Sequence, residues 1–401
     1  MKTNLVKFLA LAVLMCSAGC STATSNNSSS AKPTPSSSST KIEDPKSYWS
    51  EVYTNPTSVV NASGQPYRVE IADPSVVRGD NGYLYCVSTD RRFLRSEDGC
   101  NWEVISDSII DLPSWGKEFS KAGAGYNLWA PDLIKIGDKW IYYYSLSGWD
   151  NPIGIGYAIA DDVEGPYVDQ GKLFAGSEMG ILNCIDPQPF VDVDGTVYMT
   201  VGSFQGLWLV ELTEDGMGLA GGIEKQKEEK VLIAGKVGGW DGSTYEGGYI
   251  IRKEDKYYYF GSAGTCCERQ DSTYRVYVGV ADNVAGPYYD KKHRPLTMSG
   301  SGTTCGELVL WAGSGNNRDV VGVGHNSVMV DDAGDWWIYY HGYSKQDTFG
   351  TRHLFMDKLV FDDEGYPYVS YEYEDEDGNM KTKNYLPSYE LELDGPRFFD
   401  E

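Results

Sequence analysis

Five times in this chain an apolar run, a short polar turn and a second Tyr-bearing apolar run follow one another, the pattern of an antiparallel hairpin. The fullest copy is NCIDPQPFVDVDGTVYMTVGSF from Asn183 to Phe204. The others are IADPSVVRGDNGYLYCV from Ile71, WAPDLIKIGDKWIYYYS from Trp129, YEGGYIIRKEDKYYYFGS from Tyr245 and GHNSVMVDDAGDWWIYYH from Gly324. Aligned on the residue that opens the first run, Asp73, Ala130, Asp186, Glu246 and His325 fall in register. A repeat of about 40–50 residues or more with several strands per unit is the signature of a β-propeller, in which equivalent positions converge on one mouth of a central channel. The pattern therefore predicts an all-β, five-bladed propeller with four-stranded antiparallel blades. Asp before Pro commonly does no more than open a turn. Four ionisable residues at five matched positions are harder to assign to turn chemistry.

Between the hairpins the outer strands repeat as well. AIADDVEGPYVDQG at 158–171 is echoed by GVADNVAGPYYDKK at 279–292, and RSEDGCNWEVIS gives blade one a third strand, an Asp-Gly turn and a Trp-bearing fourth strand. The Gly- and Ser-rich stretch Met298–Val320 is expected to be an inserted rim loop. Residues Glu372–Glu401 are acidic, lack the hairpin pattern and are expected to close the ring. No segment carries a sustained helical period, so little helix is expected.

Residues 1–19 place Lys2 and Lys7 ahead of a short apolar run, the layout of an export signal too short to span a bilayer as a helix. Ser17-Ala18-Gly19-Cys20 resembles the bacterial lipoprotein processing box, which implies lipidation of Cys20; ordinary cleavage near Ala18 is the alternative. Residues 20–43 then form a Ser/Thr-rich tether, and 44–401 the folded body. The expected location is the bacterial cell envelope or surface, with membrane contact through the lipid alone.

The net charge of −24 argues against nucleic acid as a partner and leaves a neutral or cationic ligand. The body holds Cys86, Cys100, Cys184, Cys266, Cys267 and Cys305, an even number whose pairing the sequence leaves open. No CxxC spacing supports zinc, and Cys184 reads as a small buried residue.

From roughly Tyr67 to Val369 the motifs ADPSVV, LWAPDLIKIGDKWIYYYS, NCIDPQPFVDVDGTVYMTVGSF, YEGGYIIRKEDKYYYFGSAGTCC with DSTYRVYVG, and GVGHNSV resemble glycoside hydrolase family 43, most of all its endo-α-1,5-L-arabinanase branch. Two positions depart from that pattern: Ala72 stands where His is usual, and Cys184 where Ala is usual. The resemblance implies Asp73 as general base, Glu246 as general acid and Asp186 as a third carboxylate that raises the acid's pKa. It also implies inversion, which requires the base and acid carboxyls to lie about 6.5–9.5 Å apart. It places His325 beside a Ca2+ ion in the channel, held mainly through water; an imidazole bonded to a neighbour is the plain alternative, since hard cations prefer oxygen. Trp129, Phe204 and Tyr245 flank the register positions and could stack on sugars, or simply pack. Asn183 is a further candidate sugar contact, and Arg352, in the Gly-Thr-Arg stretch of the last blade, could bond a sugar hydroxyl or merely pair with surface acids.

The expected partner is a plant cell-wall glycan, arabinan first, acted on by a monomer. An exo-acting α-L-arabinofuranosidase or β-xylosidase is the nearest alternative. A non-catalytic glycan-binding propeller is the alternative from another class, opposed by the presence of all three carboxylates.

Overall fold

The second strand of each hairpin is apolar on both faces rather than alternating, because a propeller blade is sandwiched between two others. In Lys139–Gly148 every residue from Trp140 to Ser147 is buried, and Trp337 to Ser344 are buried likewise. Runs of Tyr serve here as large apolar bodies, and many of the largest buried side chains are Tyr.

The computed structural model describes residues 47–49, 52–314 and 318–399. The export signal, Cys20 and the tether lie outside the described residues. Blade one is Ser75–Arg78, Leu84–Ser88, Arg92–Ser96 and Asn101–Ser106, with Ser58–Val60 added in parallel at its outer edge. Blade two is Asn127–Ile136, Lys139–Gly148, Asn151–Ala160 and Val168–Ala175. Blade three is Gln188–Val191, Val197–Val201, Leu207–Glu211 and Val231–Ala234. Blade four is Glu246–Lys253, Lys256–Ala263, Arg275–Ala281 and Glu307–Trp311. Blade five is Val320–Val330, Trp336–Ser344, Arg352–Phe361, Pro367–Glu374 and Met380–Asn384. The first strands contact one another in sequence, and Val320–Val330 lies against both Glu246–Lys253 and Ser75–Arg78, closing the ring. The helices among the described residues are short, the longest being Ile223–Glu229.

Residues from both ends of the body seal blade five to blade one. Ser47–Trp49 pairs with Arg397–Phe399, and Val52–Tyr53 with Leu393–Asp394. The Asn55 side chain donates to the Met356 carbonyl (2.6 Å) and accepts from its amide (3.0 Å). Beside it the buried Asp357 accepts from the hydroxyls of Tyr53 (3.0 Å) and Tyr340 (2.5 Å). The C-terminal stretch thus closes the ring as expected, but it does carry a hairpin. Pro367–Glu374 and Met380–Asn384 pair across the Asp375–Asn379 turn, whose acidic residues masked the pattern.

Met298–Val320 also departs from expectation. It is not only rim loop: Glu307–Trp311 inside it is the fourth strand of blade four, paired with Arg275–Val278. Blades two and four begin their last strand alike, Ile159 opposite Val168 and Val280 opposite Tyr289. In blade four the chain then leaves the sheet and returns at Glu307.

Candidate active site

Each blade presents a left-handed backbone residue where its first strand reaches the channel mouth: Asp73 (φ 56°), Ala130 (φ 37°), Asp186 (φ 61°), Gly247 (φ 58°) and His325 (φ 49°). The register proposed for blade four was therefore one residue off, Gly247 rather than Glu246 being the equivalent. In blades two, four and five the pairs Trp129–Ser145, Glu246–Ser262 and Gly324–His341 precede a one-residue bulge. Glu246 thus corresponds to Trp129 and Gly324. Gly is required at 247, since a Cβ there would lie 2.9 Å from the His325 ring.

The left-handed conformation costs a non-Gly residue about 1–2 kcal/mol, and a ring of hydrogen bonds offsets it. The amide of Ala130 donates to Thr89 Oγ1 (2.9 Å), that of Asp186 to Ser145 Oγ (2.9 Å), that of His325 to Ser262 Oγ (2.9 Å) and that of Asp73 to His341 Nδ1 (3.0 Å). Each acceptor lies in the later part of the second strand of the preceding blade or, for Thr89, directly after it. Blade three has Gly202 at that place, where a Cβ would lie 2.3 Å from the Gly206 carbonyl oxygen. With no side chain available, the Gly247 amide donates instead to Asp186 Oδ2 (3.0 Å). One catalytic candidate is thereby tied to the strand that carries another.

A cleft of about 620 Å3 opens over this ring, and Asp73, Ala130, Asp186, Glu246 and His325 all line it. Trp129, Asn183, Phe204 and Arg352 line it too. Tyr245 does not. It is fully buried, its hydroxyl 2.7 Å from Ser299 Oγ and donating to the Cys305 carbonyl (2.6 Å), because the residue before Glu246 points into blade four rather than into the channel.

The carboxylates sit in opposed surroundings. Burial alone would raise Asp73, yet His325, His341 and Arg352 together hold its carboxyl far below the usual range. His325 Nδ1 lies 3.2 Å from Asp73 Oδ1, and the Thr89 hydroxyl donates to Oδ2 (2.5 Å). Burial pushes His325 down to about 4, so near neutral pH the imidazole is uncharged and Arg352 is the fixed cation. Glu246 has no ion pair among the described residues, and Arg352 acts on it less than burial, Tyr274, Ser203 and Asp73 do. Burial pushes it up to about 7, opposed by the Ser203 hydroxyl, which donates to Oε2 (2.9 Å). Tyr274 also stands near enough to hold it down, without a hydrogen bond of ordinary geometry. Asp186 is also raised well above the usual carboxylate range, first by burial and then by the charges of Glu246 and Asp73. The pair therefore titrates as a unit, while Asp73 stays ionised.

Sequence reasoning missed Thr89, Ser203, His341, Trp149, Trp240 and the Cys266–Cys267 disulfide. Thr89 and His341 had a signal: in four of the five hairpins the second apolar run leads to a residue of the acceptor set, as LYCVST, IYYYS, YYYFGS and WIYYH show, with VYMTVG the exception. Trp149 and Trp240 had none, since exposed loop aromatics carry no period. Trp149 is 78% exposed and packs edge-on against Trp129 (centroids 5.4 Å apart); Trp240 is 61% exposed and lies 5.4 Å from Phe204. The remaining cysteines, Cys86, Cys100, Cys184 and Cys305, are buried free thiols.

Comparison with known proteins meets the same outline. The profile of glycosyl hydrolases family 43 matches residues 66–367. The extracellular exo-α-(1→5)-L-arabinofuranosidase ArbA of Cellvibrio japonicus is 32% identical over 318 residues, 75% of this chain and 87% of its own. The extracellular endo-α-(1→5)-L-arabinanase of Thermotoga petrophila is 30% identical, covering 71% of this chain and 68% of its own. Among solved structures, the α-L-arabinanase of Cellvibrio cellulosa complexed with arabinohexaose superimposes with a TM-score of 0.65 at 31% identity, covering 76% of this chain and 96% of that one. With a profile match over most of its length and its carboxylates gathered at one mouth of a five-bladed ring, the chain belongs to glycosyl hydrolases family 43.

Proposed function

We propose that the protein hydrolyses α-1,5-linked L-arabinan at internal bonds, with inversion. The observation that carries this reading is the split between an ionised Asp73 and a protonatable Glu246 in one cleft. Hydrolysis of a glycoside needs a base that stays charged and an acid that stays protonated. Asp73 takes a proton from water as the water oxygen bonds to the anomeric carbon. Glu246 gives its proton to the departing oxygen as that bond breaks. Asp186 shares the buried acid side of the cleft with Glu246 and, through the Gly247 amide, holds the strand that carries it. Arabinan as the substrate is supported by the arabinan-cleaving activities for which the relatives are named. The internal mode is supported by the aromatic pairs Trp129/Trp149 and Phe204/Trp240, which come from different blades and offer stacking surfaces for more than one sugar.

The channel below the cleft holds a cavity of about 20 Å3 lined by Asp132, Gln188, Tyr249, His325 and Asn326. Among the described residues no three His, Cys, Asp or Glu side chains are grouped to hold a metal. The Asn326 amide is buried without a partner, so these residues fit a Ca2+ ion held through water rather than by a side-chain cage. His325 and Asn326 would hold it, and its charge would add to that of Arg352 in keeping Asp73 ionised.

We further propose an exported protein, lipidated at Cys20 and tethered to the envelope by residues 20–43. The names of several relatives include the word extracellular, which supports export. Cys20→Ser should move the mature protein from the membrane fraction to the soluble one, and unchanged partitioning would remove the anchor.

The deciding experiment for the activity is incubation with linear arabinan, branched arabinan, xylan and aryl glycosides, followed by product sizing. A ladder of oligosaccharides from linear arabinan is expected. Arabinose as the only early product would establish exo action, and activity on xylan alone would overturn the substrate.

A further inference from the structure

The disulfide among the described residues joins neighbours, Cys266 and Cys267. Such a bridge encloses no length of chain, so it removes almost none of the loop-closure entropy by which disulfides ordinarily stabilise a fold. Nor does its loop need it. The segment between Lys256–Ala263 and Arg275–Ala281 is held at its neck, where the amides of Thr265 and Thr273 each donate to the other's hydroxyl (3.0 and 3.1 Å). Gly264 N–H donates to the Gly242 carbonyl (2.9 Å), and Glu268 N–H to Ser272 Oγ (3.0 Å).

Its position is more informative. Both cysteines are half-buried and line the same cleft as Asp73 and Glu246. Arg352, the cation that bears on both of those carboxyls, is seated from two sides: Nε donates to Glu70 Oε1 (2.7 Å), and Nη1 to Cys267 Sγ (3.7 Å). Bridged sulfurs present a compact, polarizable, nearly apolar surface, a suitable neighbour for the carbon face of a furanose. Reduction would replace it with two rotatable thiols and free one side of the Arg352 seat.

We propose that the Cys266–Cys267 disulfide is a substrate-positioning element, forming a wall of the cleft against a bound arabinofuranosyl residue and seating Arg352 toward the catalytic carboxylates. This rests on the arabinan reading above, so wild-type hydrolysis of linear arabino-oligosaccharides is measured first; its absence would sink that reading and leave the disulfide aside. The oxidised enzyme is then compared with enzyme reduced by a phosphine under native conditions, two new thiols per chain confirming the reaction, and with the Cys266→Ala/Cys267→Ala variant. The expected result is a rise in KM and a fall in kcat/KM of about 10-fold to 10²-fold in both, with the melting temperature within about 2 °C and recovery when the thiols are reoxidised. Arg352→Met should then cost less in the Cys266→Ala/Cys267→Ala background than in the wild type, because the seat is already lost. Unchanged kcat/KM in both the reduced and the double-Ala protein would overturn the proposal. So would a loss that follows a large fall in melting temperature and adds independently to that of Arg352→Met.

Discussion

The two sides of the cleft are built from the same repeat and have opposite electrostatics. On the side of blades five and one, Asp73 is met by Thr89, His325, His341 and Arg352. On the side of blades three and four, Asp186 and Glu246 are coupled to each other and meet the Ser203 hydroxyl and the Gly247 amide, with Tyr274 near Glu246, Arg352 acting on it more weakly, and no ion pair to either carboxyl among the described residues. Burial is similar on both sides, so burial alone cannot assign the roles. What separates the proposed base from the proposed acid is how far hydrogen-bond donors and a cation accompany the buried carboxyl. Asp73 and Asp186 occupy equivalent backbone positions and yet shift in opposite directions, because the groups brought against them differ.

The comparison can be broken most directly at Asp73. Asp73→Asn should lower kcat by at least about 10²–10⁴-fold on arabinan and on activated aryl glycosides alike, because a good leaving group does not replace the base. Full activity of this variant on aryl arabinofuranosides would remove the assignment. Glu246→Gln should cost about 10²–10⁴-fold on arabinan but much less on aryl glycosides, whose leaving group needs little protonation. Equal losses on both substrates would mean that Glu246 is not the acid.

The same variant sharpens the contrast through stability. Glu246 is raised, so the native state holds its proton after the unfolded chain has released it, and stability falls as pH rises from about 4.5 to about 7. Denaturant titrations across that window should show a shallower fall in Glu246→Gln than in the wild type. Asp73 has the opposite sign: its contribution is present above the ordinary carboxylate range and is lost as pH falls through its depressed value.

A smaller effect is expected at Thr89, which donates to Asp73 and accepts from Ala130. Thr89→Val leaves a buried amide unpaired and should destabilise by about 1–3 kcal/mol in urea titration, with a modest loss of kcat. The smallest is Asp186→Asn. Asp186 and Glu246 titrate as a coupled pair, so taking one anion out of the pair is expected to move the basic limb of kcat/KM downward by about one unit or less, burial remaining the largest cause at Glu246. An upward move would reverse the relation between the two acids.

The hairpin repeat by itself determined the blade count, the convergence of Asp73, Asp186 and His325, and the all-β class, because a period of apolar runs and turns is local information written once per blade. The repeat also led to Glu246, one residue from the true equivalent, the family resemblance supplied its role as acid, and Arg352 was a candidate from the Gly-Thr-Arg stretch of the last blade. The one-residue offset at Gly247 was not legible, since a bulge adds a residue without altering the apolar pattern on either side. The last strand of blade four was hidden by the Gly- and Ser-rich chain around it, and Tyr245 read as a sugar platform because periodicity does not tell which side of a bulge faces the channel. Only the tertiary structure decided which carboxyl stays charged. His325, His341, Thr89 and Arg352 approach Asp73 from separate strands of the closed ring, and the pKa of a buried group depends on what is brought near it in space, not on its neighbours along the chain.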